Sequence, residues 1–255
     1  EAVLCPGYPS ALKGVMEFTR RVKTTAESHS RILVLEIMGR DAGWLTGGAA
    51  YGQADIILVP EHPIDKSRKD FFFEFVKEAF MRSPKKSLII AVSEGLRWYD
   101  DQTGKTDVVY ASTEVDEYGH PRLGGVSGVI ASEISNKLGI EARAQSVGYF
   151  ARSGECRLYD RKLTATLADK VVDLLLREDY GKMPVISKMV SYPELEEFNT
   201  GCIDMGNVGN KPLPEEYYEV DEFRFTDAYY DFMHHILGDR TFIDFKYNFP
   251  VVIPE

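Results

Sequence analysis

Cysteine is scarce in this 255-residue chain, and its spacing matches no metal site. Cys5, Cys156 and Cys202 form no CxxC pair and no Cys/His pattern of the kind that binds zinc. HExxH, the GxSxG elbow and the P-loop are also missing, so the signatures of zinc proteases, α/β-hydrolases and P-loop NTPases are excluded. We interpret the cysteines as buried, reduced thiols and predict a cytoplasmic protein.

Long apolar runs and an excess of basic residues are also missing. No stretch approaches the ~20 apolar residues of a membrane-spanning helix. The net charge of -10 disfavours binding to nucleic acid or to an anionic membrane surface, so we expect neither as a partner. A phosphorylated metabolite remains compatible with this charge, because a few local arginines can dominate a pocket.

Short apolar, branched runs alternate with stretches of helical spacing. This alternation predicts βαβ units, and therefore an α/β fold in which helices cover both faces of a parallel sheet. Residues 98–122, rich in Asp, Gly and Thr, indicate an excursion on the surface, and beyond about residue 190 the chain becomes rich in loops. Strands are predicted at 32–38, 55–61, 87–94 and 141–149, and helices at 9–28, 43–53, 68–82, 124–138, 161–177 and 225–237.

Three of the predicted strands end in polar residues and glycines, at 38–40, 60–61 and 93–95. Ligands of such sheets bind beyond the carboxyl ends of the strands, so these segments predict a polar site. Arg40 offers a planar, charged fork that suits phosphate, and Glu94 suits the hydroxyl groups of a sugar. Taken singly, each has an ordinary alternative: a solvent-facing arginine in a βα turn, and an acid at a helix start.

A second basic segment follows the fourth predicted strand. Arg143, Tyr149 and Arg152 stand around a glycine, and a strand followed by a turn would direct them toward one anion. Ordinary surface arginines are the alternative. The glycine-rich segment 124–128 opens a predicted helix, where a simple helix start is preferred to a phosphate loop.

Together, in this order and spacing, these segments resemble the phosphofructokinase family. Residues 35–44 (LEIMGRDAGW) resemble its fructose 6-phosphate motif, and 91–95 (AVSEG) resemble its glutamate strand. The match spans roughly residues 5–237 and implies the family's three-layer αβα, Rossmann-like carboxyl-terminal domain. Further segments resemble the next strand of the family and its long bacterial, pyrophosphate-dependent branch: 54–61, 118–120, 123–126, 148–153, 181–183 and 208–211.

The resemblance implies roles for residues of the first predicted rim. Arg40 would stabilise charge on the transferring phosphoryl group, while Met38 and Gly39 would shape the sugar pocket. Glu94 would hold a sugar hydroxyl group.

The same resemblance implies a binding site for the 6-phosphate. Tyr149 and Arg152 would bind it, although Tyr149 stands where many ATP-dependent members carry histidine. Arg31 and Arg143 match arginines that family members lend to the site of a neighbouring subunit, which implies a homo-oligomer.

For the intact protein, the resemblance implies a pyrophosphate-dependent 6-phosphofructokinase of glycolysis. It would convert fructose 6-phosphate to fructose 1,6-bisphosphate and would use Mg²⁺. The family's GGDG loop and its TIDND-like segment, which carries the catalytic aspartate, do not occur in these residues. The resemblance therefore covers the substrate-binding part, with no metal ligand in this chain, and we expect no activity from the chain alone.

Two domains are predicted, a sugar-phosphate-binding α/β domain over 1–190 and an extension over 191–255. In the family this extension packs back toward the donor domain. Three alternatives stay open: an ATP-dependent phosphofructokinase, a non-catalytic subunit that senses sugar phosphate, and an unrelated doubly wound sugar-phosphate-binding protein.

Overall fold

A computed structural model gives the fold over residues 4–115, 121–188 and 198–237. The helices are α1 Tyr8–Ser28, α2 Gly47–Tyr51, α3 Lys66–Arg82, α4 Val126–Leu138, α5 Leu158–Leu176 and α6 Asp227–Leu237. The strands are β1 Ile32–Ile37, β2 Ile56–Leu58, β3 Leu88–Ser93, β4 Arg97–Asp100, β5 Lys105–Val108, β6 Tyr110–Val115, β7 Pro121–Leu123, β8 Ala142–Ser146, β9 Lys182–Lys188, β10 Asn199–Asp204, β11 Tyr218–Glu219 and β12 Arg224–Phe225.

A four-stranded parallel sheet in the order β2-β3-β1-β8 forms the centre of the molecule. β2 and β3 are buried along their whole length, as expected for strands that are covered on both faces and therefore read as continuous apolar runs. The predicted α/β class is confirmed.

Helices cover both faces of this sheet. Ile32, Val34 and Ile90 pack with side chains of α3 and α4 on one face. Leu33 and Leu35 face α1 on the other, because successive side chains of a strand point to opposite sides. The result is the three-layer arrangement that the alternating sequence pattern predicted.

The segment 97–123 contains more regular structure than the sequence indicated. Its described residues form two antiparallel strand pairs, β4 with β5 and β6 with β7. Trp98 is buried, and its ring lies edge-on to Phe72 of α3 at 5.4 Å between centroids. The Asp- and Gly-rich composition of this segment indicated only surface turns. The prediction of a surface excursion was therefore incomplete, because it lacked the paired strands and the burial of Trp98.

The described part of the extension, 198–237, packs onto the α/β domain. The Ile57 amide donates to the Phe223 carbonyl at 2.8 Å, and the Tyr218 hydroxyl donates to the Ile57 carbonyl at 2.5 Å. Tyr229 and other side chains of this segment share one hydrophobic core with α1 and α2. The predicted boundary at residue 190 stays a prediction, and residues 191–197 and 238–255 of the extension lie outside the described residues.

The cysteines differ from expectation. Cys5 and Cys156 are exposed and Cys202 is half-buried, so the prediction of buried thiols was wrong. Cys156 lies in the loop before α5, where no core forms around it. Among the helices of the described ranges, none combines the length and apolarity that crossing a bilayer requires.

Candidate active site at the carboxyl ends of the strands

The turns after β1 and β3 are joined by close backbone contacts. The Gly95 amide donates to the Gly39 carbonyl at 3.0 Å, and the Glu94 amide donates to the Ile37 carbonyl at 2.8 Å. A Cβ atom on Gly95 would overlap the backbone of Arg40, so only glycine allows the two turns to meet this closely. This contact fixes the backbone that carries Met38, Gly39 and Arg40.

The Glu94 side chain points back across this junction. Its Oε1 accepts a hydrogen bond from the Gly39 amide at 3.3 Å. Burial raises the pKa of the Glu94 carboxyl above its usual range, while the Gly39 amide lowers it. The result is a half-buried acid at the rim of the sheet.

Three of the predicted site residues lie at the carboxyl ends of adjacent strands. The turns that carry Arg40 and Glu94 meet after β1 and β3, and β8, which leads to Arg152, lies beside β1. The Arg152 and Arg40 guanidinium groups each lower the pKa of the Glu94 carboxyl. The structure therefore brings Arg40, Glu94 and Arg152 together at the carboxyl rim. Each belongs to a different strand-end segment, as the sequence predicted.

Tyr149 and Arg152 lie on a short 3-10 helix, Gly148–Arg152, which follows β8 directly. Ala151 is buried against Gly14 of α1, and this contact anchors the helix. The Tyr149 side chain is 81% exposed, so its hydroxyl is accessible to a ligand at this end of the sheet.

Arg31 and Arg143 lie together at the opposite end of the strands. Arg31 Nη1 is 3.5 Å and Arg143 Nε is 2.8 Å from Oε1 of Glu141. Arg31 precedes the six-residue strand β1, whereas Met38 follows it, and six residues of strand extend about 20 Å. Within one chain, Arg143 therefore stands apart from Tyr149 and Arg152.

The start of α4 is occupied by a carboxylate from the neighbouring strand. Glu36 of β1 accepts hydrogen bonds from the Gly125 amide at 2.9 Å and from the Ser127 amide at 3.1 Å. The Ser127 hydroxyl donates to the same oxygen at 3.0 Å. Because these donors are already hydrogen-bonded to Glu36, the structure favours a simple helix start over a phosphate-binding loop.

Glu61, which the sequence placed at the predicted polar rim without a specific role, links two parts of the site. Its carboxylate oxygens accept from the Gly43 amide at 3.0 and 3.1 Å, and Oε1 also accepts from the Leu213 amide at 2.9 Å. The Trp44 indole donates to the Lys211 carbonyl at 2.8 Å nearby. Glu61 therefore ties the turn after β1 to the carboxyl-terminal extension.

The residues at this rim do not fit a magnesium site. In the part of the chain that the structure describes, no three His, Cys, Asp or Glu side chains are grouped as metal ligands. The acids beside the predicted site already accept hydrogen bonds: Glu94 from Gly39, Glu61 from Gly43 and Leu213, and Asp41 from the Asn210 side chain. No reaction step is therefore assigned to a metal held by these residues.

Comparison with known proteins identifies the family. The profile of the phosphofructokinase family matches residues 2–175. The chain belongs to the phosphofructokinase family. A pyrophosphate–fructose 6-phosphate 1-phosphotransferase of Dictyoglomus thermophilum is 37% identical over 173 residues, 66% of this chain and 47% of that protein. An ATP-dependent 6-phosphofructokinase 2 of Streptomyces coelicolor is 36% identical over 182 residues, 71% of this chain and 50% of that protein.

Solved structures agree on the fold. The pyrophosphate-dependent phosphofructokinase from Nitrosospira multiformis matches with a TM-score of 0.74 and 21% identity, covering 99% of this chain and 60% of that one. The corresponding enzyme from Marinobacter aquaeolei matches with a TM-score of 0.72 and 19% identity, covering 93% and 57%. The phosphofructokinase fold is thus established, and the chain spans about half the length of the curated relatives it matches.

Proposed function

We propose that this chain is the fructose 6-phosphate-binding portion of a 6-phosphofructokinase that uses pyrophosphate as its donor. The observation that carries the proposal is the position of Arg40, Glu94 and Arg152 after the adjacent strands β1, β3 and β8, at the carboxyl rim of the sheet. A sugar phosphate needs cationic groups for its phosphate and a carboxylate for its hydroxyl groups, and this cluster supplies both.

Each residue has a role in this proposal. Arg152 and the Tyr149 hydroxyl bind the 6-phosphate, and Glu94 accepts a hydrogen bond from a sugar hydroxyl. Met38 and Gly39 shape the wall beside the sugar. Arg40 stabilises the charge that develops on the transferring phosphoryl group, since phosphoryl transfer depends largely on positioning and on charge stabilisation.

In the intact enzyme, O1 of fructose 6-phosphate attacks the terminal phosphorus of pyrophosphate. The new O1–P bond forms as the bond from phosphorus to the bridging oxygen breaks, and inorganic phosphate leaves. An aspartate outside this chain would take the hydroxyl proton, and Mg²⁺ would likewise be held by other residues. We therefore expect this chain alone to bind the sugar phosphate without turning it over.

Arg31 and Arg143 are proposed to act on a neighbouring copy. They lie about a strand length from the Arg40 turn of their own chain, and Arg143 is 65% exposed at the edge strand β8. Two such copies would supply each other's 6-phosphate with further guanidinium groups. This makes the site depend on a homo-oligomer.

Pyrophosphate is proposed as the donor because the Nitrosospira multiformis and Marinobacter aquaeolei structures and several curated relatives are described as pyrophosphate-dependent. An ATP-dependent relative of nearly equal identity gives the second candidate, an ATP-dependent 6-phosphofructokinase. Parallel assays of the intact enzyme with each donor separate the two.

Calorimetric titration of the purified chain with fructose 6-phosphate tests the binding proposal. Arg152→Ala should weaken binding by about 1.5–3 kcal/mol, the range of a hydrogen bond to a charged group. Arg177→Ala is the matched control, because Arg177 is a 70% exposed arginine at the end of α5. Absence of binding by the wild-type chain, or equal losses in the two variants, would refute the proposal.

A turnover assay distinguishes a catalytic enzyme from a non-catalytic subunit that senses sugar phosphate. The chain alone, supplied with fructose 6-phosphate, pyrophosphate and Mg²⁺, should form no fructose 1,6-bisphosphate. Clear turnover would contradict the expectation that it is inactive alone. If the intact protein binds fructose 6-phosphate but never converts it to product, the result would instead support the alternative of a sensing subunit.

A further inference from the structure

A lysine is buried where α3, α4 and the strand pair β4–β5 meet. Lys69 of α3 is 1% exposed, although lysine is rarely buried unless its charge is paired. Its Nζ donates to the Tyr99 carbonyl at 2.7 Å, to Asp101 Oδ2 at 2.9 Å and to Glu133 Oε1 at 3.0 Å. An ammonium group has three donors, so all of them are used. Lys69 therefore joins three elements at one buried point.

The two carboxylates at this point would repel each other without the Lys69 ammonium. Asp101 belongs to the turn between β4 and β5, and Glu133 belongs to α4. Lys137 Nζ lies 3.5 Å from Asp101 Oδ2, but the Lys137 side chain is 39% exposed, so solvent and salt screen its charge more strongly than that of Lys69. Lys69 is thus the cation that holds the turn against α4.

The two helices have other supports that fix their positions. Phe72 of α3 and Ile130 of α4 pack in one hydrophobic core with the strands of the central sheet. Glu36 of β1 also accepts hydrogen bonds from the start of α4. The strand pair β4–β5 lies outside the central sheet. Repulsion between the two carboxylates would therefore displace the strand pair rather than a helix.

Strand β4 connects the Lys69 contact to the rim of the sheet. The Tyr99 amide donates to the Ile64 carbonyl at 2.9 Å, and the Tyr99 carbonyl accepts from Lys69. The strand begins at Arg97, three residues after Glu94. Because so few residues separate the Lys69 contact from the rim, a shift of the strand reaches Glu94.

Gly95 passes such a shift on to the turn after β1. Its amide donates to the Gly39 carbonyl at 3.0 Å, and a Cβ at position 95 would overlap the Arg40 backbone. Backbones that are packed this closely transmit displacements to each other. The buried cation of α3 is therefore coupled to Arg40 and Glu94, two residues that the proposed function places beside the sugar phosphate.

We propose that Lys69 is a positioning residue for the sugar-phosphate site, because it holds β4–β5 against α4 and thereby fixes the rim turns that carry Glu94 and Arg40. Lys69 does not bind the ligand itself, since its ammonium is buried and its three donors are used. The inference rests on the proposed function, because its effect on binding is measured with fructose 6-phosphate. A purely structural anchor would change the stability of the fold and leave the affinity of the folded protein unchanged.

Calorimetric titration of the full chain with fructose 6-phosphate tests this role. Lys69→Met removes the charge and keeps a long side chain, and it should weaken binding about 3- to 30-fold, the range for residues that act on a site through others. Adding Asp101→Asn and Glu133→Gln removes the repulsion and should restore the affinity to within about 2-fold of wild type. Lys77→Met, at a 57% exposed position of the same helix, is the matched control and should change binding less than ~2-fold.

The amide resonances of Glu94 and Gly95 report on the rim without any ligand. Both should shift in Lys69→Met, return toward wild type in the triple variant and stay unchanged in Lys77→Met. If Lys69→Met does not fold, Asp101→Asn takes its place, because this change lies at a 52% exposed position. It should shift the same two resonances by a smaller amount, and unchanged resonances would then overturn the inference.

The outcomes separate this inference from the proposed function. A loss of affinity in Lys69→Met that the two further substitutions restore supports the positioning role. A folded Lys69→Met protein with wild-type affinity overturns it, whether or not the rim resonances shift, and so does a loss that the further substitutions leave in place. Rim shifts that are reversed in the triple variant of a chain that binds no fructose 6-phosphate would retain the link from Lys69 to the rim and reject the proposed function.

Discussion

The Glu61 carboxylate accepts the Gly43 amide with both of its oxygens, at 3.0 and 3.1 Å, across 18 residues of sequence. The same Oε1 accepts the Leu213 amide at 2.9 Å, so one acid holds the turn that follows Arg40 and the carboxyl-terminal extension. The backbone at Gly43 packs closely against Val59, because a Cβ at position 43 would lie 2.5 Å from Val59 Cγ1. The position of the Arg40 turn therefore depends on Glu61.

Glu61→Ala should lower the free energy of unfolding by about 1–3 kcal/mol, since it leaves amides at Gly43 and Leu213 without their acceptor. Urea denaturation measures the change. Glu74→Gln, on the exposed surface of α3, is the control and should lie within about 0.5 kcal/mol of wild type. The amide resonances of Gly43 and Leu213 should both shift in Glu61→Ala; a spectrum with either unchanged would contradict the proposed link.

Gly95 provides a second test of how the site is built. Gly95→Ala forces a Cβ into the Arg40 backbone, so the turns after β1 and β3 must separate. We expect a loss of about 1–3 kcal/mol in unfolding free energy, as overpacking produces, together with weaker binding of fructose 6-phosphate. Gly128→Ala is the matched control, because Gly128 lies in α4 with open space around it.

In that control, alanine should stabilise α4 by up to about 1 kcal/mol through its higher helix propensity. Binding of fructose 6-phosphate should be unaffected. If Gly95→Ala and Gly128→Ala behave alike, the Gly95 contact does not govern the geometry of the rim.

The central sheet was predictable because burial on both faces leaves a local signal. Strands such as 88–93 read as unbroken apolar runs, and the alternation with helices fixes their parallel arrangement. The rim followed from the same reasoning, since residues just after parallel strands share one edge of the sheet. Arg40 and Glu94 were found in this way.

The supporting contacts were not predictable because their partners are distant in sequence. Glu36 and Ser127 are separated by 91 residues, and Glu61 and Leu213 by 152. Composition and periodicity report on local structure and on burial, whereas these bonds depend on how the elements pack. The strand pairs β4–β5 and β6–β7 were missed for a similar reason: the strands are short, and Trp98 of β4 is held by tertiary contacts with α3.

Glu36 should behave as a long-range helix cap. Glu36→Ala removes the acceptor of the Gly125 and Ser127 amides, and we expect a loss of about 1–2 kcal/mol in unfolding free energy. Asp65→Ala is the reference, because Asp65 caps α3 locally through the Arg68 amide at 2.9 Å. Hydrogen exchange should speed up at the start of α4 in Glu36→Ala and at the start of α3 in Asp65→Ala. Unchanged exchange at α4 would show that Glu36 does not cap it.

The pH dependence of the chain should report on Glu94. Burial raises the pKa of its carboxyl, so the folded state binds this proton more tightly than the unfolded state does. The resulting stabilisation is fully present below the unfolded pKa and is lost as the pH rises through the raised folded value. Glu94→Gln carries no titrating group at this position, so the stability of wild type relative to this variant should fall across that pH interval.

Binding of fructose 6-phosphate should show the opposite trend in the wild type, because the sugar hydroxyl group needs the ionised Glu94 carboxylate as its acceptor. Calorimetry across the acidic range should therefore find tighter binding with rising pH in wild type and a flatter profile in Glu94→Gln. Parallel profiles in the two proteins would remove Glu94 from the sugar site.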